Sequence, residues 1–192
     1  MKLSLRYGLL AAAFISLSGA AHAAETYTLD SNHTNIDWRI SHFGFSNPSG
    51  KFTKAEGTLV LDEQNPAKSK VSVTLSPANL VTGIDKLDEH LKSKDFFDVV
   101  QFPSAAFEST AVEVTGKDTA NVTGNLTVRG VTKPVVLQVH LNKIGNNMMN
   151  KKTAGFSATT HVKRSDFGMV AYLPGLGDDV QITIESEANL KQ

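Results

Sequence analysis

Residues 135–141 read Val-Val-Leu-Gln-Val-His-Leu. Val135, Leu137, Val139 and Leu141 share one parity; Gln138 and His140 share the other. Side chains of an extended chain point to opposite faces with period two. The stretch therefore reads as a strand with one apolar and one wet face, and a helical stripe of period 3.6 does not fit it.

The same alternation recurs in both directions. Ile36, Trp38 and Ile40 alternate with Asp37, Arg39 and Ser41, and Leu59 and Leu61 continue the parity of Gly57. Val71, Val73 and Leu75 alternate with Ser72 and Thr74. Val122, Leu126 and Val128 share a parity through Gly124, as do Phe156, Ala158 and Val162, and Val180, Ile182 and Ile184. Connections are expected at 62–66, 116–118, 130–134 and 145–150, which carry Gly, Pro, Asn or Asp. The fold class is all-β, with about eight antiparallel strands in one domain, either a sandwich or an up-and-down barrel. No Cys–Trp–Cys pattern supports the immunoglobulin form. Barrel closure removes exposed edges, which favours the barrel.

Residues 82–98 break the alternation and form a short helical insert. Thr82 is expected to cap a first helical piece, with Asp85 completing a weak capping box. Ile84, Leu87 and Leu91 follow at helical spacing. Ser93 is expected to cap a second piece that delivers Phe96 and Phe97 as a large apolar load. Pro103 then returns the chain to extended structure. The carboxylates of Asp85, Asp88, Glu89, Asp95 and Asp98 read as a solvated face paired with Lys86, Lys92 and Lys94.

The first 23 residues read as an export leader. Lys2 and Arg6 precede an apolar run from Gly8 to Leu17, and Ala21-His22-Ala23 offers a small-residue cleavage site. The expected mature chain is residues 24–192, a single domain exported to the periplasm. Lys2 and Arg6 are the only charges in the leader, so 17 basic groups face 19 acidic ones in the remainder, a net of −2. Such a balance gives no footprint for nucleic acid. No second apolar run is long enough for a transmembrane helix.

Cysteine is absent, which excludes disulfides, thiolate zinc sites and a cysteine nucleophile. No H-E-x-x-H, G-x-S-x-G or G-x-G-x-x-G occurs in a suitable setting, so neither a metal nor a resident cofactor is expected. His42 has the parity of Ile36, Trp38 and Ile40 and is expected to turn its ring to the apolar side. An imidazole there needs a hydrogen-bond partner or the head group of a ligand. His33, in Asp30-Ser31-Asn32-His33, reads as turn chemistry. Arg164 is expected to meet an acid at the rim, or the polar head of a ligand.

Several segments together resemble the YceI-like family of polyisoprenoid-binding periplasmic proteins. They are Tyr27-x-Leu29-Asp30 with His33, His42-x-Gly44 and Gly50-x-Phe52; Thr82 with Asp88-Glu89-His90-Leu91-Lys92-Ser93-x-Asp95-Phe96-Phe97; and Pro103 with Phe107. Downstream come Gly124-x-Leu126-Thr127, Gly130-Val131-Thr132-Lys133-Pro134, Gly155-Phe156 and Arg164-Ser165-Asp166-Phe167-Gly168. The resemblance implies a lipocalin-like barrel with an elongated apolar cavity. It implies binding of an isoprenoid lipid or isoprenoid quinone, and no catalytic residue set. Trp38, His42, Phe96, Phe97, Phe107, Phe156 and Arg164 are the expected cavity and rim residues, with the insert as a lid. Two other readings compete: a structural or stress-protective module with a filled core, and an enzyme acting on a prenyl lipid or quinone. The oligomeric state is left open, with a homodimer compatible with the pattern.

Overall fold

A computed structural model describes residues 23–191. All but one residue of the expected leader lie outside the described residues. Eleven strands form one antiparallel sheet: β1 Glu25–Leu29, β2 Asn35–His42, β3 Ser49–Phe52, β4 Glu56–Leu61, β5 Lys70–Leu75, β6 Leu80–Val81, β7 Ala105–Val114, β8 Thr119–Val128, β9 Val131–Asn146, β10 Lys152–Lys163 and β11 Leu176–Leu190. One α-helix, α1 Asp85–Lys92, interrupts them.

The sheet closes. Its order runs β1-β4-β5-β7-β8-β9-β10-β11, and β11 pairs back onto β1 through Leu29↔Ala188, Thr28↔Asn189 and Tyr27↔Leu190. That ring is an eight-stranded barrel, the size whose interior side chains can fill or that can hold one slender ligand. Further along β11, β2 takes the place of β1, pairing from Glu185↔Asn35 to Leu176↔His42. β3 then follows β2, and β6 follows β3. Three of the eight staves are thus each built from two short strands. The switch from β1 to β2 is a tight turn in which Asp30 accepts the Asn32 N–H at 3.0 Å and meets His33 Nδ1 at 3.0 Å. The His33 bond holds the Asp30 carboxyl below its usual range, and Asp30 raises His33 in turn.

The parities predicted from the sequence hold. Val135, Leu137, Val139 and Leu141 all face the interior, as do Ile36, Trp38 and Ile40 and the other apolar sets. Two bulges change the phase. One residue is added at Asn142, so that Ile144 follows Leu141 inward. One is added at Thr110, so that Val112 and Val114 follow Phe107 inward. The expected connection at 130–134 is shorter than read. Arg129 and Gly130 alone make the turn, both with positive φ, 51° and 71°, as a two-residue hairpin of this twist requires. Pro134 lies within β9, paired with Asn125 of β8 and beyond the end of the β9–β10 ladder, so its missing N–H breaks no bond there.

The insert departs from its expected capping. Ile84 occupies the N-cap position without a side-chain bond. Asp88 instead reaches back, accepting the Thr82 N–H at 2.8 Å and the Thr82 hydroxyl at 2.5 Å. The second piece is a series of turns closed by the Ser93 carbonyl, which accepts from Phe96 and Asp98. Ser93 Oγ is buried without a partner among the described residues. Among those residues no ion pair joins the insert's carboxylates to Lys86, Lys92 or Lys94; Asp95 lies 3.7 Å from His90.

One close approach is tested simply. A Cβ on Gly124 would sit 2.3 Å from the Phe107 ring and 2.6 Å from the Glu108 carbonyl oxygen. Gly124→Ala should destabilise the barrel by about 1–3 kcal/mol, the usual cost of overpacking, read as a lower urea midpoint with an unchanged slope.

Candidate functional site

The inward faces of the barrel enclose a cavity of about 1030 Å³ that runs its length. Its wall is mostly aliphatic and aromatic, because inward parity selects Val, Ile, Leu and Phe on every stave. Few polar groups interrupt it, and they are largely satisfied. Thr34, buried, and Ser186 bond to each other at 3.0 Å. The Thr160 hydroxyl donates to the Val136 carbonyl at 2.8 Å.

All seven residues expected at the cavity or its rim line this space, at different levels. Phe156 lies low, against a cluster of Tyr27, Leu61, Ala154 and Ala188. Phe107 sits at mid-height against Gly124. Trp38, Phe96 and Phe97 pack with Leu80 and Leu91 beneath the insert. His42 and Arg164 stand near the same end.

His42 is at the cavity wall as its parity predicts, but exposed at the end of β2. Its ring meets Phe43 edge-on at 4.9 Å, and its backbone closes the 42–46 turn.

Arg164 differs from expectation. It is 3% exposed, and its guanidinium donates to four carbonyls: Gly177 at 2.7 Å, Met169 at 2.6 Å, Ala171 at 2.9 Å and Leu176 at 3.0 Å. Asp178, the nearby acid, is taken by the Ser165 N–H and hydroxyl at 2.9 and 2.8 Å. Burial lowers the Arg164 pKa from its ordinary value, with Asp178 opposing that effect. The side chain is thus a clamp that shapes the loop from 164 to 177 rather than half of an ion pair, and four of its five donors are already used.

At this end the ring of ladder bonds is incomplete. β7 pairs with β5 only as far as Leu75↔Ala105, and β6 pairs with β3 alone. The insert bridges the gap. Leu91 and Phe96 pack on Leu80 of β6, while Arg129, in the β8–β9 turn, donates to the carbonyls of Lys94 at 3.0 Å and of Phe96. Tyr172 stacks on Phe96 at 6.3 Å, and His90 sets its edge against both rings. Neither Arg129 nor Tyr172 was singled out from sequence, since each acts through a partner more than 30 residues away. The Trp38 indole N–H is buried under this cover with no partner among the described residues.

The opposite end is polar. Tyr27 donates to Glu25 at 2.8 Å, and Lys152 bonds Glu25 at 2.5 Å and Glu63 at 2.7 Å. Burial, then the Glu25 bond, pushes the Tyr27 hydroxyl up to about 12. The two carboxylates raise the Lys152 ammonium above its ordinary value. No group of three or more metal-ligating side chains occurs among the described residues.

The clamp is directly testable. Arg164→Lys keeps the charge but cannot span four carbonyls. It should cost at least about 2 kcal/mol, since bonds to charged donors are worth about 1.5–3 kcal/mol each. Hydrogen exchange should accelerate over 164–177 before it does in the strands.

Residues 27–188 match the YceI-like domain family. A UPF0312 protein of Pseudomonas putida (strain GB-1) is 42% identical over 173 residues, covering 88% of both chains. The crystal structure of a Campylobacter jejuni YCEI protein superposes with a TM-score of 0.71 at 30% identity, covering 80% of this chain and 91% of that one. The fold is also shared with Burkholderia cenocepacia BcnA, TM-score 0.76 at 24% identity, over 83% of this chain and 98% of that one. It is shared again with a polyisoprenoid binding domain from Saccharophagus degradans, TM-score 0.68 at 14% identity, over 88% and 100%. By sequence match over most of its length and by the closed barrel that the match accompanies, the chain belongs to the YceI-like family.

Proposed function

We propose that this protein binds an isoprenoid lipid or isoprenoid quinone in its barrel, in the periplasm, and sequesters or carries it. The observation that carries the reading is the continuous apolar cavity of about 1030 Å³. It lies at the upper end of the usual range for ligand pockets, and its length suits a chain better than a compact ligand. Each methylene-sized group moved from water into such a wall contributes about 0.8 kcal/mol. Several isoprene units therefore outweigh the entropy of ordering a flexible chain. The name of the Saccharophagus degradans domain, on the same fold, supports this ligand class. The leader read at residues 1–23 supports the compartment.

The cavity weighs against a protective module with a packed core, because Trp38, Phe107 and Phe156 border the space without filling it. The wall suits binding rather than catalysis. The polar residues of the wall are spread along it, and the His33–Asp30 and Ser165–Asp178 pairs do not line it.

The insert acts as the lid. Phe96 is buried, and Phe97 meets Phe52 edge-on at 5.3 Å inside the cavity. Asp85, Lys86, Glu89 and Lys94 face water. Trp38 Nε1 and Ser93 Oγ, both buried without partners among the described residues, each lower the stability of the closed state by about 1–3 kcal/mol. Opening the lid hydrates them, which offsets part of the cost of exposing Leu80, Leu91 and Phe96.

Trp38 is the only tryptophan in the chain and lies in the cavity wall, so it reports occupancy. Titration with a short-chain isoprenoid benzoquinone should quench its fluorescence saturably with one site, and a saturated hydrocarbon of equal length should compete. Unquenched fluorescence across the solubility range would contradict the assignment. Removing the lid aromatics together, Phe96→Ala with Phe97→Ala, should speed ligand release at least ten-fold in stopped-flow; an unchanged rate would remove the lid from the account.

A further inference from the structure

The end of the barrel that carries the lid is unlike the rest of the surface. Phe43 is 52% exposed, Phe45 90%, Val170 59%, Tyr172 56% and Leu173 36%. They come from two loops that touch: the Phe43 N–H donates to the Gly175 carbonyl at 2.8 Å, and the Phe43 ring lies where a Cβ on Gly175 would stand. Phe43 and Tyr172 both adopt left-handed backbone, φ 51° and 63°, which is rare for aromatic residues and is held only where the surroundings impose it. Arg164 supplies that constraint for the second loop. Residues 41–50 and 167–177 contain no Lys, Arg, Asp or Glu, in a chain that is 20% charged. Phe43 and Tyr172 also line the cavity, so the exposed apolar surface is continuous with the cavity wall.

We infer that this collar docks on the surface of a lipid bilayer and places the mouth of the cavity against the membrane. The inference rests on the ligand reading above: an apolar chain that leaves a bilayer meets no water if the mouth and the hydrocarbon are in contact. Aromatic side chains on protruding loops suit the interfacial zone. Charge selects the kind of membrane. The insert beside the collar mixes Lys86 and Lys94 with Asp85, Glu89 and Asp95, all exposed. Both signs together match zwitterionic head groups, and they lack the cationic cluster that anionic lipid recruits. The opposite end of the barrel is the natural comparison. Met148 and Met149 are exposed there at 105% and 73%, but they neighbour Lys151, and the other loops at that end carry Asp62, Glu63, Lys68, Lys117 and Asp118.

The test uses residues 24–192, which span the whole described barrel, and vesicles of phosphatidylcholine that contain no isoprenoid. The chain should co-sediment with them, and 0.5 M salt should leave binding unchanged. Phe45→Ser with Leu173→Ser should reduce the bound fraction at least five-fold; Met148→Ser with Met149→Ser should not change it. Phe45 is so exposed that its replacement leaves the barrel intact, which circular dichroism checks. Hydrogen exchange on the unmutated chain gives a second reading, with vesicles protecting 42–48 and 168–175 but not 147–150. No binding by the unmutated chain overturns the inference. So does equal loss from both double variants, or binding only to phosphatidylglycerol vesicles that salt abolishes. A concentration-dependent dimer that the Phe45/Leu173 variant dissolves, without vesicle binding, would assign the collar to a second copy instead. Because the vesicles hold no isoprenoid, failure here leaves the ligand titration standing, and failure of the titration leaves this result standing.

Discussion

Three residue pairs between β1 and β11 close the barrel, and the rest of the molecule depends on that closure. With β1 seated, every strand has a neighbour on both sides through the lower part of the barrel, and the inward parity of each stave becomes a common interior. An eight-stave ring fixes how wide that interior is. Large side chains gather under the insert and around Tyr27, while much of the middle is lined by Val, Leu and Ala. The cavity is therefore bordered by a packed cluster near each end and is hollow between them. The ladder bears more of the stability than it would in a filled barrel, and an apolar ligand can supply packing that the protein itself forgoes.

The same closure explains why the functional end looks as it does. β2, β3 and β6 continue three staves upward, but β7 does not rise to meet β6. A gap in a ladder leaves backbone groups unpaired, and the chain between β6 and β7 is the insert that covers it. Its apolar face packs on the barrel, and Arg129 ties its carbonyls to the far side of the gap. The position of the insert is in this sense a consequence of topology: it covers the stave that is missing its neighbour, which is what the proposed lid role rests on. On the other side of the mouth residues 168–175 lie outside the ladders, and Arg164 holds their shape from inside.

Much of this was legible in the sequence. Strict alternation at Ile36–Ile40, Val71–Leu75 and Val135–Leu141 gave the inward faces correctly. β7 was harder to read because the bulge at Thr110 puts Phe107 and Val112 on the same side at odd and even positions, so no alternation survives across it. β3 and β6 are too short, at four and two residues, to show a period. The residues of the cavity wall followed from parity, but parity cannot distinguish a hollow interior from a packed one. The role of Arg164 was hidden because its partners are carbonyls, which every residue carries. Thr82 is not the cap that its spacing to Asp85 implies, because the helix begins two residues later than that signal and Asp88 accepts from Thr82 instead. The collar is not legible in the sequence, because the exposure of Phe43 and Phe45 comes from a turn with left-handed backbone at Phe43 and Gly44 that no residue pattern announces.

The central claim is that the hollow centre holds an isoprenoid chain, and the most direct measurement is native mass spectrometry of the protein taken from the cell that makes it, without added lipid. The account predicts a single stoichiometric adduct that, on release and fragmentation, yields ions spaced by isoprene units. A chain that flies without an adduct, or that carries only bulk phospholipid, would contradict it.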